Sequence, residues 1–375
     1  MLVETVSHLG GAQWSLFENG LRLQKNGVTV VIAAPKGELL SVAQEAGLAT
    51  VAIPFYRLRR SPFLWFSWLK QHRAAAKLNR AANAFVPHVI HANSLAAGSI
   101  ALGLADKFPF VCHIRDLVFP FSILRKVAKR SGRIVACSKA VDSLLAEMLH
   151  GSPRSRLVRV INGIDCERFK GAVGAEVRRA RNLPESGPLV VMAAHLVPWK
   201  RHNVFLDMAA ILAKIYPEVN FVIAGRDLLG EHAAYRRRLH EQATNLGLEQ
   251  RLFWFENDTD IADLLQVSTV LVHPTSDEPF GRVLCEAMAA SRPVVAVRNK
   301  GPAMIVDDKV TGILVEKSDP GQLAGAVRQL LDNPQQADDF GQAGYKRVSE
   351  LYTVERSVRE LMEVYQGAIN EFPVS

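Results

Sequence analysis

Two glutamates carry the chemistry that this chain advertises most clearly. In the stretch His273-Pro274-Thr275-Ser276-Asp277-Glu278-Pro279-Phe280-Gly281-Arg282-Val283-Leu284-Cys285-Glu286-Ala287 they stand eight positions apart, on either side of Gly281. The apolar run Val270-Leu271-Val272 predicts a buried strand, and Val283 to Ala290 predicts a helix. Gly281 then lies near the amino end of that helix, where free N–H groups and the helix dipole attract an anion. Glu278 falls on the loop before the helix and Glu286 about one turn inside it. Such a site can hold a phosphate on backbone amides, with a carboxylate on each side to accept hydroxyls. A diphosphate joined to two sugars, one of them a ribose, fits that description.

Other segments place reactive residues just after apolar strands. Gly10-Gly11 follows the first of them, and two residues without side chains let backbone N–H groups approach a ligand closely. The spacing is not G-x-G-x-x-G, so the dinucleotide fingerprint is absent and a nicotinamide oxidoreductase is disfavoured. Ala194-His195-Leu196-Val197-Pro198-Trp199-Lys200-Arg201 and Phe110-Val111-Cys112-His113-Ile114-Arg115-Asp116 hold cations and imidazoles at equivalent places. Alternation along a strand puts His113 and Arg115 on one face.

The stretch from His273 to Ala287 closely resembles the E-x7-E signature of retaining glycosyltransferases of family 4. That resemblance implies the GT-B fold, two Rossmann-like α/β domains facing an interdomain cleft, and a nucleotide-sugar donor linked to UDP or GDP. It implies that Glu286 binds ribose hydroxyls and that Glu278 contacts the transferred sugar. Backbone amides of Phe280, Gly281, Val283 and Leu284 and the Lys200 side chain would hold the diphosphate. The loop Ser7 to Gln13 is similar to the family's Gly-Gly loop, so Gly10 and Gly11 are expected near the donor phosphate and the acceptor. Where the family has Gly-Arg-Leu-x-x-x-Lys-Gly, this chain sets His195 in the Arg position and Arg201 in that of the last Gly. A cation is needed where the leaving diphosphate gathers charge. Lys200 supplies one, whereas His195 does so only when protonated, and Arg201 can compensate. In the strand that ends His-Asp in the family, Arg115 takes the His position, leaving Arg115 or His113 to reach the reacting sugar. Met304 replaces a family Glu and Ser291 a family Gly. Glu256 falls where the base-binding loop often has Gly. No metal or other cofactor is expected, because positive charge and helix N–H groups can stabilise the leaving diphosphate without one. The acceptor is expected to be a glycan or a lipid-linked molecule of cell-surface polysaccharide or glycolipid synthesis. Other readings are a GT-B epimerase or hydrolase, or a catalytically silent sugar-binding or scaffold protein.

These residues need a scaffold, and the pattern supplies one. Short apolar runs alternate with helical segments through both halves, the mark of βαβ units and two parallel sheets. Expected strands are Leu2–Val6, Val28–Ala33, Val51–Ile53, Val89–His91, Phe110–Ile114, Ile134–Ala136 and Val158–Ile161. In the second half they are Leu189–Ala193, Phe221–Ala224, Leu252–Phe255, Val270–Val272 and Val294–Val297. Trp14, Phe17 and Leu21 mark one helix face, and Val204, Phe205, Met208, Ile211, Leu212 and Ile215 another. A turn-rich break between Asn162-Gly163 and Pro184–Pro188 separates the halves. The domains are therefore expected at 1–166 plus 355–375, with the final helix returning to the first domain by resemblance, and at 167–354.

With 375 residues, 49% hydrophobic and 22% charged, the chain can bury two sizeable cores. No run of apolar residues is long enough to span a bilayer, and the first residues lack a basic n-region. The cysteines, Cys112, Cys137, Cys166 and Cys285, have no metal or redox spacing and read as buried thiols of a cytoplasmic protein. The net charge of +8 is uneven. Residues 1–165 hold 21 Lys+Arg against 9 Asp+Glu, which is +12. The first half is thus expected to meet an anionic partner. The stretch Tyr56–Lys70, with Arg73, Lys77 and Arg80 after it, interleaves aromatic and basic residues in the manner of a membrane interface. Peripheral contact with an anionic membrane at its inner face is the partner expected there. No nucleic-acid module surrounds the stretch, and no nucleic acid is expected.

Overall fold

The computed structural model describes residues 1–55, 64–149, 156–171, 174–228, 230–256 and 260–373, with backbone alone over 64–70. Of the aromatic and basic stretch Tyr56–Lys70, residues 56–63 therefore lie outside the described residues. The chain divides into two compact units, Met1–Gly163 with Val354–Ser375, and Ile164–Thr353.

The first unit is built on β1 (Leu2–Val3), β2 (Val31–Ala34), β3 (Ala49–Ala52), β4 (Ile90–Ala92), β5 (Phe110–Ile114), β6 (Arg133–Ala136) and β7 (Leu157–Arg159). They form one sheet in the order β3-β2-β1-β4-β5-β6-β7. Every pairing is parallel, with Leu2 beside Ile32 on one flank and His91 on the other. Apolar side chains pack on both faces, which is why β5 is buried at every position. The expected first strand is cut short at Val3 for a visible reason. The Glu4 carboxylate accepts from the amides of Thr5 at 2.6 Å and Val6 at 3.3 Å, turning the backbone away from the ladder. On the helix Gly11–Lys25 the buried apolar side chains are Leu16 and Leu23, while Trp14, Phe17 and Leu21 are half-buried against the same cluster. The helix Val354–Asn370 adds Val358, Leu361, Val364 and Tyr365 to that cluster.

The second unit holds β8 (Leu189–Ala193), β9 (Asn220–Ala224), β10 (Leu252–Phe255), β11 (Val270–His273), β12 (Val294–Val297) and β13 (Gly312–Val315). Their order is β10-β9-β8-β11-β12-β13, again parallel throughout. The core gathers Met192, Phe205, Met208, Leu212 and Phe221. Burying each such side chain is worth about 1.5–3 kcal/mol. Ile211 and Ile215 of the expected helical stripe face solvent instead. β13 was not expected. Its four residues follow a turn closed by Thr311 N–H on the Asp307 carbonyl, and a run that short carries little pattern.

Both sheets reverse their winding direction once, between β1 and β4 and between β8 and β11. In a doubly wound sheet the loops leaving these strands at their carboxyl ends flank the ligand crevice. The residues singled out above leave from strands at or beside those two places.

Candidate functional site

In the second unit the loop after β8 carries His195 and Lys200, and the loop after β11 carries Glu278. The Lys200 ammonium meets Glu278 Oε2 at 2.5 Å, so a single ion pair joins the two switch-point loops. Lys200 also lies over the Trp199 ring, 4.0 Å from its centroid. On the other side His273, the last residue of β11, places Nε2 3.1 Å from the same carboxylate oxygen. A carboxylate only accepts, so that nitrogen carries the hydrogen. Burial pushes the Glu278 carboxyl up, but Lys200 and His273 outweigh it and hold the group well below its usual range.

The loop bearing Glu278 is pinned along its length. Asn299 donates through Nδ2 to the Thr275 carbonyl at 2.9 Å and accepts from the Glu278 amide at 3.3 Å. The Gly301 amide donates to the Glu278 carbonyl at 3.2 Å. A Cβ on Gly301 would lie 2.5 Å from the carbonyl oxygens of both Glu278 and Phe280, so only glycine allows this approach. Ser318 Oγ donates to the Pro274 carbonyl at 2.6 Å.

Gly281 has φ +96° and caps the helix Arg282–Ala289, one residue earlier than expected. Phe280 is buried beside Tyr352, with ring centroids 6.2 Å apart. The first amides of a helix have no acceptor within it. Here Leu284 N–H already donates to the Gly281 carbonyl at 2.9 Å, so of the four expected amide donors the two inside the helix differ, and Val283 is the more available of them. Glu286 is buried and accepts from Arg282 Nε at 2.7 Å.

His195 is held neutral. Burial first, then the charges of Lys200 and Arg226, bring its pKa down to about 4, against a partial lift from Glu278. The cations at this corner are therefore Lys200 and Arg226. Arg201 has its side chain exposed and its backbone at φ +62°, the left-handed conformation that a glycine supplies freely. Ser291, the other residue standing at an expected glycine position, has φ +56°. Both residues thus adopt a conformation that glycine would adopt freely.

In the first unit Gly10 caps the helix that begins at Gly11, and its amide donates to Gln13 Oε1 at 3.2 Å. Gln13 donates in turn to Glu4 Oε2 at 3.1 Å, and Asn93 donates to the same oxygen at 2.7 Å. Glu4 follows β1 and Asn93 follows β4, so this contact spans the other switch point. Arg115 continues the network, donating through Nε to Asn93 Oδ1 at 2.9 Å and through Nη1 to Asn162 Oδ1 at 2.6 Å. Its Nη2 lies 3.3 Å from His113 Nδ1, so the two residues share a face as alternation requires. His113 is buried and kept neutral by desolvation, by Arg115 and by its stacked neighbour His91. His91 Nδ1 lies 2.5 Å from the Tyr365 hydroxyl.

Each unit thus gathers its own expected residues. Sequence reasoning missed Glu4, Asn93 and Asn162 in the first unit and His273, Asn299 and Arg282 in the second. His273 and Arg282 stood inside the quoted motif. The period-two pattern of β11 marks His273 as sharing a face with Leu271, and the i, i+4 spacing marks Arg282 as a partner of Glu286.

Residues 9–168 match the family model described as Glycosyltransferase Family 4, and residues 174–347 match Glycosyl transferases group 1. The D-inositol 3-phosphate glycosyltransferase 2 of Catenulispora acidiphila is 32% identical over 224 residues, covering 58% of this chain and 52% of that protein. The chain spans about half the length of the curated relatives it matches. Among solved structures, HepE of Anabaena in complex with UDP and glucose superposes with a TM-score of 0.82 at 22% identity, covering 96% of this chain and 97% of that one. Sucrose-phosphate synthase of Thermosynechococcus elongatus gives 0.81 at 20% identity, covering 97% of each chain. At these identities the likeness is one of fold, and that fold is GT-B.

Proposed function

This chain belongs to glycosyltransferase family 4, and we propose that it moves a sugar from a UDP- or GDP-linked donor to a glycan or lipid-linked acceptor with retention of configuration. The observation that carries this reading is the Lys200–Glu278 pair bridging the second switch point beside the start of the Arg282–Ala289 helix. Lys200 and the Val283 amide bind the diphosphate. Glu278 accepts hydroxyls of the transferred sugar, and Glu286 accepts those of the ribose. When the anomeric C–O bond breaks, its electron pair leaves on the diphosphate and positive charge builds on the sugar. The ammonium and the helix N–H groups stabilise that leaving charge, so the proposal needs neither a metal nor a general acid. The acceptor hydroxyl attacks from the face the diphosphate leaves and gives its proton to the departing phosphate. Gly10 and Gly11 serve the donor phosphate and the acceptor, and His113 or Arg115 reaches the reacting sugar. That HepE was solved with UDP-glucose supports the donor class.

A cell-surface polysaccharide or glycolipid is the acceptor class we assign, together with peripheral contact between the basic first unit and an anionic membrane. Among the described residues no helix is long and apolar enough to cross a membrane. The test is a thermal-shift screen of UDP, GDP and their sugars, followed by turnover. UDP or GDP should stabilise the protein. Lys200→Ala and Glu278→Ala should each cut transfer by about 10²–10³-fold. Near-normal turnover in both refutes the assignment. Release of free sugar without acceptor selects a hydrolase, and tight donor binding with no transfer to any acceptor selects a silent module.

A further inference from the structure

The geometry points to a membrane-docking surface on the segment Val118–Lys129, distinct from the aromatic stretch near Tyr56, whose occupant is a bilayer with anionic headgroups. It rests on the membrane contact proposed above and moves that contact to another element. Three observations carry it.

The helix Phe121–Arg130 buries Leu124, Val127 and Ala128, which fixes its rotation. The opposite face presents Arg125, Lys126 and Lys129, all exposed, and no acidic side chain forms a salt bridge with any of them among the described residues. Arg130, also exposed, pairs with Asp106. Residues 117–141 contain six Lys/Arg and no Asp/Glu, and of the four cations on this helix Arg130 is the one with an acidic partner among the described residues.

Two apolar side chains stand at the amino end of this cationic face. Val118 is 90% exposed and Phe121 46% exposed. Phe121 also heads the i, i+4, i+8 stripe that continues through Arg125 and Lys129. Cations along one face with apolar groups at its end are what an interfacial helix offers to lipid: lysine and arginine to headgroup phosphates, phenylalanine to the acyl boundary. A purely ionic partner leaves the exposure of Val118 and Phe121 unexplained.

The surface lies on the carboxyl edge of the first sheet. β5 ends at Ile114, Arg115 follows at once, and Val118 is three residues further on. An acceptor carried on lipid would therefore be delivered beside Arg115 and the Gly10 loop of the same unit.

The experiment uses the full chain and sedimentable vesicles, either pure phosphatidylcholine or an equal mixture with phosphatidylglycerol. The protein should sediment with the mixed vesicles only, and less so as salt is raised. Each basic residue at such a surface contributes about fivefold to partitioning. The combined variant Arg125→Glu, Lys126→Glu, Lys129→Glu should therefore lose about a hundredfold or more. Phe121→Trp should shift its emission to the blue on adding mixed vesicles. Unchanged melting temperature and unchanged UDP stabilisation certify that the variants are folded, and they report on the donor site separately. If the wild type fails to sediment, membrane contact itself is wrong. If the wild type and the triple variant sediment equally, this surface is wrong. Sedimentation with no blue shift at position 121 overturns it as well.

Discussion

Replacing Lys200 by Met should separate what the ion pair does for stability from what it does for a ligand. Lys200 and Glu278 have side chains only 13% and 8% exposed, with the charges 2.5 Å apart. Taking away one partner of a buried pair costs about 3–5 kcal/mol, because the other charge stays behind unpaired. His273 still donates to Glu278 at 3.1 Å, which places Lys200→Met at the lower end, about 3 kcal/mol. For a unit of this size that is a fall of about 6–12 °C in melting temperature. Adding Glu278→Gln removes the stranded charge, and replacing both partners of a buried pair is often neutral. The double variant should recover to within about 1 kcal/mol of the wild type, yet UDP should no longer stabilise it.

The pH dependence has a definite sign. In the wild type the folded Glu278 carboxyl titrates well below its unfolded value. Its stabilisation is therefore complete above about pH 4.3 and is lost only as pH falls through the folded value. Without Lys200, burial dominates and the folded value rises above the unfolded one, so the variant loses stability as pH rises through it. The gap between wild type and Lys200→Met should widen from pH 5 to pH 8. Urea denaturation at those pH values measures it. A single variant as stable as the wild type, or a double variant no better than the single, refutes the reasoning.

Three further outcomes follow from the same geometry. A diphosphate beside His195 should raise its pKa from about 4, so UDP affinity should gain a proton-uptake component as pH falls from 7 towards 5; calorimetry in two buffers should show that component vanish in His195→Gln. Gly301→Ala drives a Cβ onto two carbonyl oxygens of the Glu278 loop, and should cost about 1–3 kcal/mol of stability and abolish UDP stabilisation. Glu4→Ala strands the amides of Thr5, Gln13 and Asn93, each worth about 1 kcal/mol or more when buried unpaired; a loss of more than about 3 kcal/mol in urea denaturation is expected, and a neutral result would show that the network is not formed.

The fold was legible because parallel strands buried on both faces read as short continuous apolar runs. Strand ends were less legible, since side chains set them: Glu4 ends β1 by capturing the next two amides. The donor-side motif was legible as a local string, and so was the glycine turn at Gly281. The partners of its side chains were not, because they come from distant segments. Lys200 lies 78 positions from Glu278, and no period links them. Arg201 and Ser291 illustrate the converse. As residue types they look like losses of the family pattern, yet both hold a positive φ, the conformation that glycine adopts most freely.

The two switch points also differ in kind, and the difference bears on where a charged ligand can enter. Each brings a buried carboxylate to the carboxyl edge of a parallel sheet. In the first unit Glu4 is satisfied by backbone and side-chain amides from Thr5, Val6, Gln13 and Asn93. Those donors are neutral and fixed by short loops, so exchanging them for a ligand would leave several buried groups unpaired. In the second unit Glu278 is held mainly by a cation on a flexible stem, with His273 behind it. A dianion can compete for that ammonium without stranding the carboxylate, because His273 and the sugar hydroxyls remain as donors. The first switch point is thus built to hold its loops still, and the second to exchange one negative partner for another.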